Sequence, residues 1–267
     1  GRVKTVRKDS EIELRVSTLP VAFGEKVVMR IFDPGVLLQD LAGLGFYPEE
    51  LDLFSDFISR PHGIILITGP TGSGKTTTLH AVLGEINDPG RKIWTVEDPV
   101  EITQAGLRQV QVKPKIGLDF ARIMRGFLRL DPDIIMIGEM RDRETAATAI
   151  EASLTGHLVL STLHTNNAPE TLTRLLDMGM NPLNISDSFL AVLAQRLVRT
   201  ICQHCKQKTF LTPDQISALR MKMPEDSTRK LPVYYGEGCA ACRGRARRGR
   251  AGRPGCGSRW PPASPRL

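Results

Sequence analysis

A chain of 267 residues with 41% apolar side chains can bury one large core or two small ones. It has no run of eighteen apolar residues and no visible signal peptide, so composition argues against a membrane-spanning helix. The net charge of +7 is local: residues 243–267 carry eight Arg and no acid, and taking these away leaves −1, so the body does not read as a nucleic-acid binder.

The chain opens without a Met in a charged, strand-like pattern and reads as a piece of a longer protein. Residues 1–34 read as short strands: Glu11–Ser17 alternates, and Lys26–Phe32 is rich in β-branched residues. Two such strands are marginal alone and suit the end of a larger module. Asp33–Gly35 reads as a break. Residues 48–60 predict a short amphipathic helix that starts at Pro48, with Leu51, Phe54, Phe57 and Ile58 on one face.

The central stretch is Gly63–Leu79. Ile64–Ile67 make an apolar run, as a buried parallel strand would, and residues from Lys75 onward suit a helix. Between them Gly69, Pro70, Thr71, Gly72, Ser73, Gly74, Lys75 and Thr76 fit G-x-x-x-x-G-K-[ST], a phosphate-binding loop, and Thr77 follows. Glycines there let the backbone approach a phosphate, and successive N–H groups form an anion nest at the helix N-terminus. Lys75 is placed for the β/γ-phosphates of ATP and Thr76 for Mg²⁺.

Lys92–Val96 predicts a strand that ends in Glu97, Asp98 and, after Pro99 and Val100, Glu101. Carboxylates at the C-terminal end of a parallel strand lie where α/β sheets bind ligands. Leu118–Leu130 predicts a helix with an apolar stripe at Phe120, Ile123, Met124, Phe127 and Leu128. Asp133–Glu139 then reads as a second buried strand ending in an acid. Gly138 stands where an aspartate usually holds Mg²⁺, so the metal must rely on Thr76, the nucleotide and Glu97 or Glu139. Glu139 is placed to orient or deprotonate the attacking water.

Arg141–Thr155 predicts a helix and His157–Thr162 a third buried strand, with His164 after it. Two His flanking one core strand beside a nucleotide could sense the γ-phosphate; a structural role fits the spacing equally well. Asn166–Leu197 predicts two further amphipathic helices with a break at Gly179–Pro182. Cys202-x2-Cys205 and Cys239-x2-Cys242 can close a tetrahedral Zn²⁺ site of four thiolates, although the 33 residues between the pairs exceed the tight ribbon spacing. Disulfides or redox dithiols are the alternative, which a reducing cytoplasm disfavours. His204 and Cys256 read as bystanders. Residues 243–267, nearly all Arg, Gly, Pro, Ala and Ser, are expected to be disordered.

Four motifs stand in order: GPTGSGKT at Gly69, TVEDPVE at Thr95, DPDIIMIGEMRD at Asp131 and TGHLVLSTLHTN at Thr155. With the two CxxC pairs they resemble the secretion ATPases of the type II secretion and type IV pilus assembly family over about residues 1–242. The resemblance implies Walker A, Asp, Walker B and His boxes on an α/β, RecA-like P-loop NTPase domain with a mostly parallel central sheet. It implies bounds of 1–34 for the last strands of a smaller α+β domain, 35–60 for a linker and first helix, and 61–200 for the ATPase domain. A four-cysteine zinc-binding element at 201–242 and a tail at 243–267 follow. It implies ATP, Mg²⁺ and structural Zn²⁺ as cofactors, with His157 and His164 at the nucleotide. Arg15 and Arg30, which read alone as solvated strand residues, match arginines that reach the γ-phosphate. The family assembles as a cytoplasmic homo-hexamer under an inner-membrane platform protein, recruited through an adaptor, with no specific nucleic acid. Its paired CxxC element resembles the assembly branch rather than the retraction branch, and a DNA-uptake pilus ATPase is an alternative. A nucleotide-responsive scaffold without turnover is another, and a small-molecule kinase is a weaker one because no second-substrate motif is seen. After Cys242 the chain departs from the family's Gly-Tyr-Gly-Arg stretch and C-terminal helices.

Overall fold

Ile64–Ile67 explain the architecture. All four are fully buried, and they face opposite ways: Ile64 and Leu66 join one core, Ile65 and Ile67 the other. A strand whose two faces are both covered needs apolar residues at every position. A computed structural model gives the structure of residues 1–7, 10–32, 39–218 and 232–256.

The chain divides into two units, the second spanning Leu197–Ala251 and the first holding Gly1–Arg196. The first unit opens with an antiparallel sheet of β1 (Arg2–Arg7), β2 (Ser10–Val21) and β3 (Gly24–Phe32). Then come α1 (Pro48–Ile58), β4 (Gly63–Thr68), α2 (Lys75–Ile86), β5 (Ile93–Glu97), β6 (Arg108–Gln111) and α3 (Phe120–Phe127). They are followed by β7 (Ile134–Ile137), α4 (Arg143–Leu154), β8 (Leu158–Leu163), α5 (Ala168–Asp177), α6 (Pro182–Ser188) and β9 (Phe189–Ile201). The central sheet runs β9-β4-β8-β7-β5-β6, and every pairing between these neighbours is parallel.

Helices cover both faces. Phe54 and Ile58 of α1, with Leu79, Val82, Leu83 and Ile86 of α2, pack on one side against Ile65, Ile67, Ile134 and Leu160. Phe120, Met124 and Phe127 of α3, with Ala146, Ala149 and Ile150 of α4, pack on the other against Ile64, Leu66, Ile135 and Val159. Burying each Ile or Leu side chain contributes about 1.5–3 kcal/mol relative to exposure. Helix starts follow the sequence: Asp119, Asp142 and Asn167 accept the backbone N–H groups of Arg122, Thr145 and Glu170.

Three expectations are corrected. The second helix expected within Asn166–Leu197 stops at Ser188, and Phe189–Ile201 forms β9, paired in parallel with β4. A short apolar run such as FLAVLA suits helix or strand locally, and the open edge of β4 decides. There Leu193 and Gln195 are buried at a period of two. Gly63 is required beside this strand, since a Cβ on it would lie 2.5 Å from Leu190 Cγ. Second, residues 1–34 hold three strands rather than two, and β6 was not foreseen. Third, the expected disorder of 243–267 fails at Arg247–Cys256, which form β12, next to β9 in the sheet order. Backbone pairing at a sheet edge does not need apolar side chains. The break expected at Asp33–Gly35 and the tail beyond 256 lie outside the described residues.

In the second unit β10 (Lys206–Phe210) pairs antiparallel with β11 (Pro232–Gly236), Lys206 opposite Gly236. A 3₁₀ turn flanks each strand at the same end of this ribbon, Gln203–Cys205 before β10 and Ala240–Cys242 after β11, and the Glu237 N–H donates to the Cys205 carbonyl at 3.2 Å. The pairing brings the two CxxC turns together and takes up the long spacing between them, while α7 (Pro213–Ala218) lies in the excursion.

Candidate functional site: a phosphate loop at the carboxyl edge of the sheet

The parallel register brings the motifs to one edge. Thr68 pairs with Leu163, and Val96 with Ile137, so the loop after β4, His164, Glu139 and Glu97 all leave the C-terminal ends of their strands. Gly69, Gly72 and Gly74 have φ of +150°, +77° and +89°. At Gly69 a Cβ would lie 2.3 Å from the Gln195 carbonyl oxygen, whereas at Gly72 nothing lies within 4 Å. Gly74 caps the N-terminus of α2, and the Thr78 N–H donates back to its carbonyl at 3.0 Å. Pro70, Thr71 and Thr76 are exposed, and Thr77 is half-buried.

Lys75 is buried and folds over the loop, its Nζ donating to the Gly69 carbonyl at 2.8 Å and the Pro70 carbonyl at 3.2 Å. Burial pulls its pKa below the usual lysine range, and the Glu139 carboxylate works against that. The Ser73 hydroxyl is buried without a hydrogen-bond partner. A loop with a buried cation, an orphaned hydroxyl and backbone open at Gly72 fits the phosphates of a nucleotide.

Glu139 is partly open, its side chain 17% exposed. Arg141 pairs with one of its oxygens and lies 3.7 Å from Asp98, and His164 Nε2 is 3.5 Å from the other oxygen. The Glu139 hydrogen bond holds the Arg141 guanidinium above its ordinary pKa. Glu97 is almost wholly enclosed. It accepts from Thr95 Oγ1 at 2.7 Å and Gln109 Nε2 at 3.0 Å, and His80 Nε2 lies 3.3 Å from its second oxygen. Burial opposes ionisation, but the hydrogen bonds from His80, Thr95 and Gln109 outweigh it and lower the pKa.

The two His box residues separate. His164 follows β8 at the loop's edge, while His157 precedes β8, where its carbonyl accepts from the Gly63 N–H at 3.1 Å. Six residues at about 3.3 Å each put them roughly 20 Å apart. His157 instead packs its ring on the end of α4, Nδ1 lying 2.8 Å from the Ala152 carbonyl. Within this chain it is corrected from a nucleotide contact to a strand-end fastening. Arg15 and Arg30 stand opposite each other in β2 and β3. Arg15 reaches Glu101 at 3.3 Å, whereas Arg30 is exposed.

Sequence reasoning missed Arg141, Gln195 and His80. Gln195 accepts from Thr78 Oγ1 at 2.7 Å and ties β9 to α2. His80 carried a usable signal, because four residues after Thr76 it lies on the same face of α2.

The four cysteines form a compact group. Cys202 and Cys239 lie 3.9 Å apart by sulfur, Cys205 and Cys242 3.9 Å, and Cys239 and Cys242 3.8 Å. All four sulfurs fall within 4.8 Å. Disulfides need about 2.05 Å. A tetrahedron of sulfurs about 2.3 Å from zinc has edges of about 3.8 Å, so the donor set fits Zn²⁺. Burial pushes Cys205 up to about 11, while the Cys239 N–H, donating to Cys242 Sγ at 3.1 Å, draws Cys242 down to about 6.

A family model described as type II/IV secretion system protein matches residues 1–253. The chain is 48% identical over 250 residues to the type IV pilus assembly ATPase PilB of Thermus thermophilus, covering 94% of this chain and 28% of that one. It is 49% identical over 254 residues to the type II secretion system ATPase E of Vibrio cholerae, covering 94% and 49%. It thus spans half or less of the length of these two relatives. Among solved structures, the pilus retraction motor PilT with bound ADP superimposes with a TM-score of 0.62 at 33% identity, over 76% of this chain and 61% of that one. The Legionella pneumophila ATPase DotB gives 0.62 at 26%, over 91% and 63%.

Proposed function

The chain belongs to the type II/IV secretion system protein family, and from that premise we propose that it carries the ATP-hydrolysing part of a motor for type II protein secretion or type IV pilus assembly. The observation that carries this reading is the convergence of Lys75 and Glu139: a buried cation on the phosphate loop senses a partly open carboxylate at the end of β7. The ADP in the PilT structure supports a nucleotide at the corresponding loop.

Residues Gly69–Thr77 would hold the nucleotide through backbone N–H groups and Lys75. Thr76, with Glu97 in support, would face Mg²⁺, which when bound neutralises phosphate charge. Glu139 orients the attacking water and takes its proton as general base, since it alone of the two glutamates is open to solvent. His164 Nε2 stands 3.5 Å from the second Glu139 oxygen, within reach of the same water. Arg15 and Arg30 would approach the γ-phosphate by movement of the β1–β3 sheet or from a neighbouring subunit.

Cys202, Cys205, Cys239 and Cys242 would hold a structural Zn²⁺. The domain bounds we propose are 1–34, 35–60, 61–200 and 201–242, with a tail at 243–267. The assembly we propose is a homo-hexamer at the cytoplasmic side of the inner membrane, under a platform protein and joined to an adaptor, with no specific nucleic acid. No helix among the described residues is long and apolar enough to cross a membrane. Mg²⁺-dependent ATP turnover by the wild type and by Glu139→Gln tests the reading. Loss of turnover in Glu139→Gln with nucleotide still bound supports it, and an unchanged rate removes Glu139 as the base.

A further inference from the structure

The buried face of α2 carries a titratable group that the proposed chemistry does not use. His80 lies on the helix that opens with the phosphate loop, five residues after Lys75, and its side chain is 0% exposed. An imidazole in that position must satisfy two ring nitrogens without water. Here both nitrogens stand near side-chain oxygens within a closed ring of contacts. Nε2 lies 3.3 Å from Glu97 Oε2, and Nδ1 lies 3.2 Å from Gln104 Oε1. The Gln104 backbone N–H donates to Gln109 Oε1 at 2.9 Å, and Gln109 Nε2 donates to Glu97 Oε1 at 3.0 Å. Gln104 Nε2 also donates to the His80 carbonyl at 3.1 Å.

Every link joins a different element. His80 is on α2, Glu97 ends β5, Gln104 is in the following loop and Gln109 is on β6. A structural role alone would need only apolar packing on this face, such as Leu79 and Leu83 already provide. The ring instead aims one specific donor at one oxygen of a carboxylate at the same edge of the sheet as the phosphate loop. Glu97 also stands against Gly138, the position where an acid is absent, so no side chain from β7 shares its place.

We infer that His80 is a positioning residue of the nucleotide site: its Nε2–H fixes the Glu97 carboxylate to the helix that carries the phosphate loop. This rests on the reading that Glu97 serves the metal end of that site. His80 ties the Glu97 oxygen to the same rigid body as Lys75 and Thr76, so that loop and carboxylate keep one spacing while the nucleotide is held.

The test uses the full chain as wild type, His80→Leu, His80→Gln and Glu97→Gln. Three quantities are read: kcat and KM for MgATP, Mn²⁺ affinity of the ADP complex by electron paramagnetic resonance, and Tm. Leu keeps the volume without the donor, and Gln restores an N–H. The expected result is a His80→Leu kcat at least tenfold down, with Mn²⁺ affinity weakened several-fold and KM changed less than threefold. His80→Gln should recover most of both losses. Loss of Tm alone in His80→Leu, with kcat and Mn²⁺ affinity unchanged while Glu97→Gln loses them, overturns the inference and leaves the Glu97 reading standing. Unchanged kcat and Mn²⁺ affinity in Glu97→Gln overturns the premise beneath it.

Discussion

Gly138 and Glu97 pack against each other at the ends of adjacent strands: a Cβ at Gly138 would lie in contact with Glu97 Cα at 3.5 Å and press on the Val96 carbonyl oxygen at 3.3 Å. The glycine at the Walker B aspartate position and the glutamate one strand over are therefore a single arrangement. Restoring an acid at 138 crowds Glu97 and sets two carboxylates side by side. Overpacking of this kind costs about 1–3 kcal/mol before charge repulsion is added. Gly138→Asp should lower Tm and reduce ATP turnover at least tenfold, and Gly138→Ala, which adds a Cβ without a carboxylate, should change both much less. A Gly138→Asp protein of wild-type stability and rate would show that the two positions are independent.

The two glutamates differ in exposure, which predicts different failures. Glu139→Gln removes a base and should cost about 10²–10⁴ in kcat, with nucleotide affinity within a few-fold of wild type. Glu97→Gln should instead raise the Mg²⁺ concentration for half-maximal rate and lower Tm, because its carboxylate accepts three hydrogen bonds that an amide cannot all receive. Magnesium titrations of both variants separate the roles. Identical profiles would contradict the division.

Opposite ends of β8 predict opposite phenotypes for its two histidines. His164→Ala, which removes the imidazole 3.5 Å from the second Glu139 oxygen, should reduce turnover with little change in Tm. His157→Ala should lower stability by about 1 kcal/mol through loss of its hydrogen bond to Ala152, with a near-normal rate per folded chain. A His157→Ala protein that is stable but inactive would place that residue at a nucleotide after all, by way of a neighbouring subunit.

The sulfur spacing predicts one zinc per chain by elemental analysis, lost in Cys202→Ser and Cys239→Ser. Structural zinc sites are worth on the order of 10 kcal/mol in apparent binding free energy. A chelator should therefore unfold Leu197–Ala251, read as lost hydrogen-exchange protection in that stretch. Metal-free protein with full protection there would remove the zinc.

The parts legible in the sequence were those whose chemistry is local. The phosphate loop follows an apolar strand, Glu139 ends another, and each CxxC turn carries its own spacing. Strand β9 was not legible, because FLAVLA becomes a strand only where β4, far earlier in the chain, offers an edge. Strand β12 was hidden for a related reason, since an Arg- and Gly-rich segment shows no apolar pattern even when its backbone pairs. Spacing left the role of His157 open, because distance along a strand does not say which end meets the loop, and His157 stands at the opposite end of β8 from His164. The His80 ring draws on four elements and leaves only a faint helical-spacing signal.

Mg²⁺-dependent ATPase rate measured against protein concentration, with Lys75→Ala as control, tests the central claim most directly. The account predicts turnover above the control, with specific activity that rises with concentration as subunits complete one another's sites. Nucleotide binding with no turnover above Lys75→Ala at any concentration would contradict it.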